Sequence, residues 1–217
     1  WLKPQKTELL VYVLAGCLFG YTAADVQALL ADDAQLAYWT ESALQAQQDW
    51  QQWGVYAAMQ RFLQQRNSAC RIDALTERLD EAQLNALLPQ CQAVVDCCDN
   101  FATRQAVNRA AVACKTPLIS GAAVRFEGQL AVYRSDTDDS PCYACLFDMP
   151  HADDGACAVF GVFSPLVGVI GAAQAAETLK VLLGLPSPVG VLQCYNALSG
   201  EWQRFRFGKN PQCRVCG

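Results

Sequence analysis

The sequence predicts an α/β fold, in which helices pack against a sheet that has a mixed edge. From residue 80 onward, apolar runs typical of strands alternate with segments typical of helices. Near the C-terminus, strands follow one another through tight turns, which is typical of antiparallel pairing. The chain has 217 residues, the length of one large domain. We therefore expect a single domain over residues 1–217.

Three segments before residue 90 are predicted from their composition and from their breaking residues. An apolar run at 9–14 is followed by two glycines, which indicates a strand and then a turn. Residues 41–65 are rich in Gln and Ala and indicate helical pieces, broken at Gly54. A short helix over 80–88 is expected to end at Pro89, because proline does not continue a helix.

The segments that follow alternate more regularly. The run 93–98 indicates a buried strand, and a helix over 102–114 begins after Asn100, a residue type that caps helices. Strands are predicted at 117–121 and at 127–134, the second from its alternating pattern. The last elements are a long apolar helix, which we expect to be buried on most faces, and a hairpin: residues 165–183, and 191–196 with 201–207.

Composition and charge exclude several classes of protein. The net charge is −5 and charged residues make up 17% of the chain, which argues against nucleic acid as a partner and against a disordered acidic tail. The apolar run 160–176 is interrupted by Pro165 and by glycines, so we expect no membrane span. The first residues lack the features of a signal peptide. These observations predict a cytoplasmic protein with neither a nucleic-acid nor a membrane partner.

Four of the 12 cysteines form two CxxC pairs, Cys142 with Cys145 and Cys213 with Cys216. Each pair places two thiolates on one turn, which is half of a tetrahedral zinc site. The two pairs together predict a closed, structural zinc site that joins the C-terminus to the middle of the chain. Two redox-active pairs or disulfides are the alternatives.

Two further residues are candidate catalytic groups. Cys157 lies in a segment of small and polar residues, and a cysteine on an exposed loop is a candidate nucleophile. Asp99 comes directly after the predicted strand 93–98 and before a helix. An acidic group at this end of an α/β sheet could hold Mg²⁺ on a nucleotide, or it could simply cap the helix.

An ordered set of motifs fills the chain from residue 93 to 217. It comprises Asp96-Cys97-Cys98-Asp99-Asn100, Arg104 and Asn108, Thr116 to Ala123, Glu127-Gly128-Gln129, Pro141 to Leu146, Cys157 with Gly161 and Pro165, Gly168 to Gly171, Gln174, Glu177 and Lys180, and Cys213 to Gly217. In this order the motifs resemble the ThiF/MoeB/HesA adenylyltransferases. These enzymes activate ubiquitin-like sulfur-carrier proteins, and they are relatives of the ubiquitin-activating enzymes.

The resemblance implies a Rossmann-like, mostly parallel sheet with antiparallel C-terminal strands and a structural four-cysteine zinc site. It implies that Asp99 coordinates Mg²⁺ at ATP and that Cys157 forms a covalent sulfur link with the carrier. The cofactors implied are zinc, ATP and Mg²⁺. The reaction implied is adenylation of the carrier's C-terminal glycine with release of pyrophosphate, in thiamine or molybdopterin sulfur transfer. The family usually forms homodimers, so a homodimer is expected.

The resemblance is weaker in the first 70 residues, where it assigns the remaining nucleotide-binding positions. Gly16 and Gly20 stand in the place of a glycine-rich turn whose backbone approaches phosphates. Asp33 (or its neighbour Asp32) is the candidate ribose ligand. Gln45 lies in the segment where the family has an Asn and an Arg around Leu-Gln.

Several groups that the family places around the triphosphate have no counterpart here. Ala43 and Ala46 stand in place of the Asn and the Arg, and Tyr56 stands in place of a lysine. An N-terminal arginine that family dimers lend to the neighbouring site is also missing. We therefore expect the N-terminal nucleotide-binding half to be degenerate or incomplete. Three explanations are open: a degraded relative kept as a partner or scaffold, one half of a heterodimer whose partner supplies the arginines, and an N-terminal region misread or stitched across gaps.

Three functions follow from these observations. The first is an adenylyltransferase that acts on a ubiquitin-like sulfur carrier. The second is a catalytically degraded homologue that serves as a zinc-containing binding or partner subunit. The third is a redox or sulfur-handling protein that uses Cys157. Binding of Mg²⁺–ATP at Asp99 separates the first from the second.

Overall fold

The computed structural model describes residues 33–148 and 161–217. These residues fall into two compact units, divided after Arg78. In the first unit, helix α1 spans Asp33–Arg66 and is broken at Gly54, whose φ of 81° and ψ of 168° are not helical. The predicted break at Gly54 is therefore confirmed. The strand predicted at 9–14 lies outside the described residues.

The second unit contains five strands, four α-helices and a short 3₁₀ turn among its described residues. In chain order they are α2 (Glu81–Leu87), the 3₁₀ turn (Leu88–Gln90), β1 (Val94–Asp96), α3 (Phe101–Ala113), β2 (Leu118–Val124), β3 (Glu127–Tyr133), α4 (Tyr143–Leu146), α5 (Ser164–Leu182), β4 (Val191–Asn196) and β5 (Glu201–Arg206).

The strands form one mixed sheet in the order β1-β2-β3-β4-β5. β1 and β2 run parallel, with Val95 opposite Ile119. The three remaining pairings, from β2 to β5, are antiparallel. The predicted α/β class and the predicted antiparallel C-terminal strands are thus confirmed. Within the described segments, the parallel part of the sheet is the β1–β2 pair.

Local capping explains where two of the helices begin. Asp80 accepts a hydrogen bond from the Gln83 amide at 2.8 Å, and the Gln83 side chain accepts one from the Asp80 amide, which is a capping box. Asn100 accepts from the Thr103 amide at 2.8 Å and caps α3, as predicted. These caps satisfy amides that a helix leaves without an internal partner.

The two long helices of the second unit cover opposite faces of the sheet. Leu118 packs with α3 residues in one core cluster, whereas its neighbour Ile119 packs with Val181 of α5 in another. Successive residues of a strand point to opposite faces, so α3 and α5 lie on different sides. This arrangement places the N-terminus of α3 beside the end of β1.

The expectation that the long helix is buried on most faces is wrong. α5 contacts β2 and β3, and its buried residues are Leu166, Ile170, Gln174 and Val181. Other apolar residues of the helix are exposed, among them Leu179 at 59% and Leu182 at 46%. An apolar composition does not say which face a neighbour covers, and here one side rests on the sheet. By length and composition alone α5 could cross a membrane, but it packs against the two strands instead.

Candidate functional site

Asp99 lies at the carboxyl end of β1, in the loop that leads into α3. Its side chain is exposed and accepts a hydrogen bond of 3.2 Å from the Asn100 side chain. Ligands of α/β sheets bind outside the carboxyl ends of parallel strands, and a helix begins two residues later. The structure thus places an exposed carboxylate where the sequence predicted a nucleotide-site residue.

A buried ion pair lies directly beneath this loop. Asp96, the last residue of β1, is 3% exposed, and Arg104 of α3 is 7% exposed. The Arg104 Nη1 donates to Asp96 Oδ2 at 3.0 Å and to the Ser120 hydroxyl at 3.0 Å. The same hydroxyl donates to Asp96 Oδ2 at 2.9 Å. The charged pair is therefore hydrogen-bonded on both members, which a buried pair requires.

The second terminal nitrogen of Arg104 reaches the backbone. Its Nη2 donates to the carbonyl of Cys98 and, at 2.8 Å, to the carbonyl of Gly121. The Cys98 amide donates in turn to Asp96 Oδ1 at 2.9 Å. The guanidinium therefore joins the residues that follow β1 to those of β2, at the edge of the sheet where Asp99 stands.

A glutamine from α5 completes the connection from the other face of the sheet. The Gln174 side-chain amide donates to the Asp96 carbonyl at 2.9 Å and to the Ile119 carbonyl at 3.2 Å. Gln174 is 3% exposed. Arg104 and Gln174 stand in the sequence as parts of the family resemblance, and no role for them was predicted. Two features of the sequence could have indicated their roles: Arg104 stands among small residues of a predicted helix, and Gln174 stands in an apolar helix.

The two thiols beside Asp99 are poor nucleophiles. Burial, together with a hydrogen bond and the charge of Asp96, raises the pKa of Cys98 to about 12. Burial and the charge of Asp96 also raise the pKa of Cys97. Both groups are thus protonated at neutral pH, and the thiolate is the reactive form.

The two CxxC pairs come together in space, as the spacing predicted. The four sulfurs lie within 4.8 Å of one another. The distance is 3.7 Å from Cys142 to Cys213 and 3.4 Å from Cys145 to Cys216. Four Zn–S bonds of about 2.3 Å at tetrahedral angles require sulfurs about 3.8 Å apart. The donor set and its spacing therefore fit a closed, structural zinc site, with no position left for a substrate.

Buried hydrogen bonds hold this cluster to helix α3. Asn108 is fully buried, and its side chain donates to the Cys142 sulfur at 3.6 Å and accepts from the Tyr143 amide at 2.9 Å. The Asn210 amide points at the Cys145 sulfur at 3.4 Å. Such contacts orient the sulfurs for a metal. Asn108 and Arg104 are one turn apart on α3, so one helix supports both the cysteine cluster and the Asp99 loop.

The surroundings of the cluster shift the pKa values of Cys142 and Cys213 in opposite directions. Burial raises the pKa of Cys142. Burial acts the same way on Cys213, but hydrogen bonds from the backbone at Val215 and Cys216, together with those from the neighbouring thiols, outweigh it and lower that pKa to about 7. A bound cation would favour the thiolate form of all four cysteines, because metal binding displaces thiol protons.

The other predicted site residues belong to the first unit or fall outside the described residues. Asp33 and Gln45 belong to helix α1 in the first unit. Asp33 is its first residue, and Gln45 is exposed and donates to Asp49 at 3.0 Å. Helix α1 also contains Ala43, Ala46 and Tyr56, which stand in place of the expected polar and cationic residues. Gly16, Gly20 and Cys157 fall outside the described residues, so these assignments remain predictions.

Curated proteins with similar sequences are named as adenylyltransferases. The chain is 40% identical over 152 residues to the molybdopterin-synthase adenylyltransferase of Escherichia coli, covering 70% of this chain and 61% of that protein. It is 42% identical over 164 residues to the sulfur carrier protein adenylyltransferase of Thermus thermophilus, covering 73% and 60%. The chain thus spans about 60% of the length of these relatives.

Solved structures agree on the fold. The E. coli MccB structure with ATP matches with a TM-score of 0.62 at 22% identity, over 74% of this chain and 49% of that one. The profile of the ThiF family matches residues 45–215, more than three quarters of the sequence. This range includes the Asp99 loop, the buried Asp96–Arg104 pair and all but the last of the four zinc-type cysteines. The chain belongs to the ThiF family.

Proposed function

We propose that this chain carries out ATP-dependent adenylation of the C-terminal glycine of a ubiquitin-like sulfur-carrier protein. The observation that carries the proposal is the exposed Asp99 carboxylate at the carboxyl end of β1, next to a buried ion pair whose two members are both hydrogen-bonded. Membership of the ThiF family supports the same conclusion.

The proposed reaction is a nucleotidyl transfer. A carboxylate oxygen of the carrier's terminal glycine attacks the α-phosphorus of ATP. The bond from that phosphorus to the bridging oxygen breaks, and pyrophosphate leaves with the electron pair. Asp99 would hold Mg²⁺, which offsets negative charge on the phosphates. The N-terminus of α3, beside Asp99, adds a favourable field for anionic groups.

The names of the relatives support a sulfur carrier as the partner. Relatives are named for molybdopterin synthase, for sulfur carrier protein and for ThiS. A carrier tail that ends in glycine would enter the site as a flexible extended strand. Thiamine and molybdopterin sulfur transfer are both compatible with these names. Within this proposal, Cys157 forms a covalent sulfur link with the carrier, and Gly16, Gly20, Asp33 and Gln45 contribute to the ATP site.

The oligomer proposed is a homodimer. One face of α5 carries small and apolar residues that are exposed in the single chain: Gly168, Gly171, Ala175, Leu179 and Leu182. Their spacing of three and four residues places them in one stripe along the helix. A heterodimer remains the alternative if a partner supplies cationic groups. We also propose a cytoplasmic location, because reduced zinc-binding cysteines and ATP belong to such a compartment.

A second function has a specific observation in its favour. Ala43, Ala46 and Tyr56, which stand where the family has an Asn, an Arg and a Lys, all lie in helix α1. A chain without these groups could serve as a zinc-containing, non-catalytic partner subunit. Removing one positioned donor from a site of this kind typically costs about 3–4 kcal/mol of transition-state stabilisation. A sulfur-handling protein that depends on Cys157 alone would keep its activity in Asp99→Ala.

Binding of Mg²⁺–ATP separates these functions. We expect the full chain to bind ATP in a Mg²⁺-dependent manner by titration calorimetry. Asp99→Asn removes the charge without changing the size of the side chain. We expect it to weaken binding at least tenfold, because loss of even an outer-shell contact costs a metal site about 10–100-fold. Asp139→Asn, an exposed aspartate on another loop, is the matched control. Binding that is equal in all three proteins, or absent from the wild type, would favour the non-catalytic subunit.

A further inference from the structure

We propose that Arg104 is a positioning residue, which sets the orientation of the Asp99 carboxylate by tying the end of β1 to β2. The inference deepens the proposed function and rests on it, because Asp99 is the group proposed to hold Mg²⁺ on ATP. Arg104 itself touches neither metal nor nucleotide in this account. Arg104 is 7% exposed, and its guanidinium donates its hydrogen bonds to protein groups.

The contacts of Arg104 restrain the backbone immediately before Asp99. The Arg104 side chain donates to the Cys98 carbonyl, which belongs to the same peptide unit as the Asp99 amide. The Cys98 amide is held by Asp96 Oδ1 at 2.9 Å. The backbone N–H and C=O of Cys98 are thus both hydrogen-bonded to members of the ion pair. After Asp99, the Asn100 cap at 2.8 Å from the Thr103 amide fixes the chain again.

The same guanidinium also fixes the neighbouring strand. It reaches the Gly121 carbonyl at 2.8 Å, while Ser120 shares a hydrogen bond with Asp96 at 2.9 Å. The end of β1 is therefore tied through the Arg104 side chain to the middle of β2, at Ser120 and Gly121. Asp99 stands at this edge, so its position relative to β2 depends on this connection.

The contacts at position 104 require an arginine, and another cationic side chain would not make all of them. A guanidinium is planar, permanently charged and offers donors in several directions, so it can serve a carboxylate, a hydroxyl and two carbonyls together. A lysine ammonium in its place has three donors on a compact head. Arg104→Lys therefore keeps the charge that Asp96 needs and loses part of the connection to the backbone.

A contrasting pair on the same helix provides the control. Arg109 of α3 makes a two-armed ion pair with Glu81 at 2.8–3.2 Å, and both side chains are about half exposed. Arg109→Lys changes an arginine to a lysine in the same helix without touching the Asp96–Arg104 pair. Any effect that Arg104→Lys has beyond Arg109→Lys therefore comes from the buried contacts.

The first test needs no nucleotide. Amide hydrogen exchange is measured on the full chain, as wild type, Arg104→Lys and Arg109→Lys. We expect faster exchange confined to the segments 97–100 and 120–122 in Arg104→Lys, and wild-type exchange there in Arg109→Lys. Wild-type exchange at 97–100 in a folded Arg104→Lys protein would overturn the proposal. If Arg104→Lys does not fold, Ser120→Ala removes one shared hydroxyl, and we expect the same segments to exchange faster.

The second test is a double-mutant cycle on Mg²⁺–ATP binding. We expect Arg104→Lys to weaken Mg²⁺-dependent ATP binding about tenfold, the lower end of what loss of an outer-shell contact costs a metal site. In the Asp99→Asn background the same change should have no further effect, because the group being positioned is gone. Equal weakening in both backgrounds would overturn the proposal and indicate a purely structural role.

The two tests separate this inference from the proposed function. A wild-type chain that binds no Mg²⁺–ATP would overturn the proposed function, and the nucleotide role of Arg104 with it, whatever the exchange shows. Wild-type binding that depends on Asp99, together with additive effects in the cycle, would overturn only the positioning role of Arg104.

Discussion

Gly121 shows how closely the residues around the candidate site are packed. A Cβ atom built at Gly121 would lie 2.3 Å from the side-chain carbonyl group of Gln174. Gln174 is held there by hydrogen bonds to the Asp96 and Ile119 carbonyls. Any side chain at position 121 must therefore displace the glutamine from both strands, which explains a glycine at this point of β2.

At the residue scale, we predict that Gly121→Ala destabilises the protein. The displaced Gln174 would leave buried polar groups unpaired, which costs about 1–3 kcal/mol. The free energy of unfolding, measured by denaturant titration, should fall by this amount. Gly208→Ala is the control, because nothing lies within 4 Å of a Cβ atom at Gly208. Equal stability of the two variants would show that Gln174 can move without cost.

Residues with a local signature could be predicted from the sequence, and residues that act through distant partners could not. The four cysteines were found because a CxxC spacing already fixes two ligands on one turn. Asp99 was predicted from its position after a strand, and its role as a nucleotide-site residue stays a prediction. The roles of Arg104 and Gln174 depend on partners up to 78 residues away, such as the Asp96 carbonyl. No spacing along the chain encodes such contacts.

At the element scale, the strands and helices of the second unit follow their sequence signals closely. The helix predicted over 102–114 is Phe101–Ala113, and the strand predicted over 127–134 is Glu127–Tyr133. Caps, prolines and alternation are local features, so their boundaries can be predicted. The burial of α5 was predicted wrongly, because an element that is apolar all round gives no sign of which side a neighbour covers.

We predict that the exposed stripe of α5 joins two copies of the chain. Leu179 is 59% exposed, and Leu179→Glu would place a charge in the middle of the stripe. Burying an unpaired charge at an interface is unfavourable, so the variant should sediment as a monomer at concentrations where the wild type is a dimer. Leu198→Glu, at a residue that is 73% exposed on the β4–β5 turn, should leave the dimer intact. A wild-type monomer would contradict the prediction.

At the scale of the whole molecule, the mixed class of the sheet was predictable and its strand order was not. Alternating helices and strands, followed by a hairpin, indicate a mixed α/β sheet. The order depends on which strands pair across long connections, such as β3 with β4 on either side of α5. The first strand predicted by the sequence, at 9–14, lies outside the described residues.

We predict that removal of zinc destabilises the second unit. The cluster holds the C-terminal turn 213–216 against the turn 142–145, and the free energy of metal binding is free energy of folding. A chelator should lower the unfolding temperature, by roughly 2–4 °C for each kcal/mol lost in a chain of this size. Cys213→Ser should lower both zinc content and unfolding temperature. Cys70→Ser, at an exposed cysteine, should change neither.

The central claim, adenylation at the Asp99 site, is tested most directly by ATP–pyrophosphate exchange. The full chain, in wild-type and Asp99→Ala form, is assayed with Mg²⁺ and a panel of sulfur carriers that end in Gly-Gly. We predict exchange that requires both the wild-type chain and a carrier and that is lost in Asp99→Ala. Absence of exchange with every carrier, from a folded and zinc-loaded wild-type protein, would contradict the account.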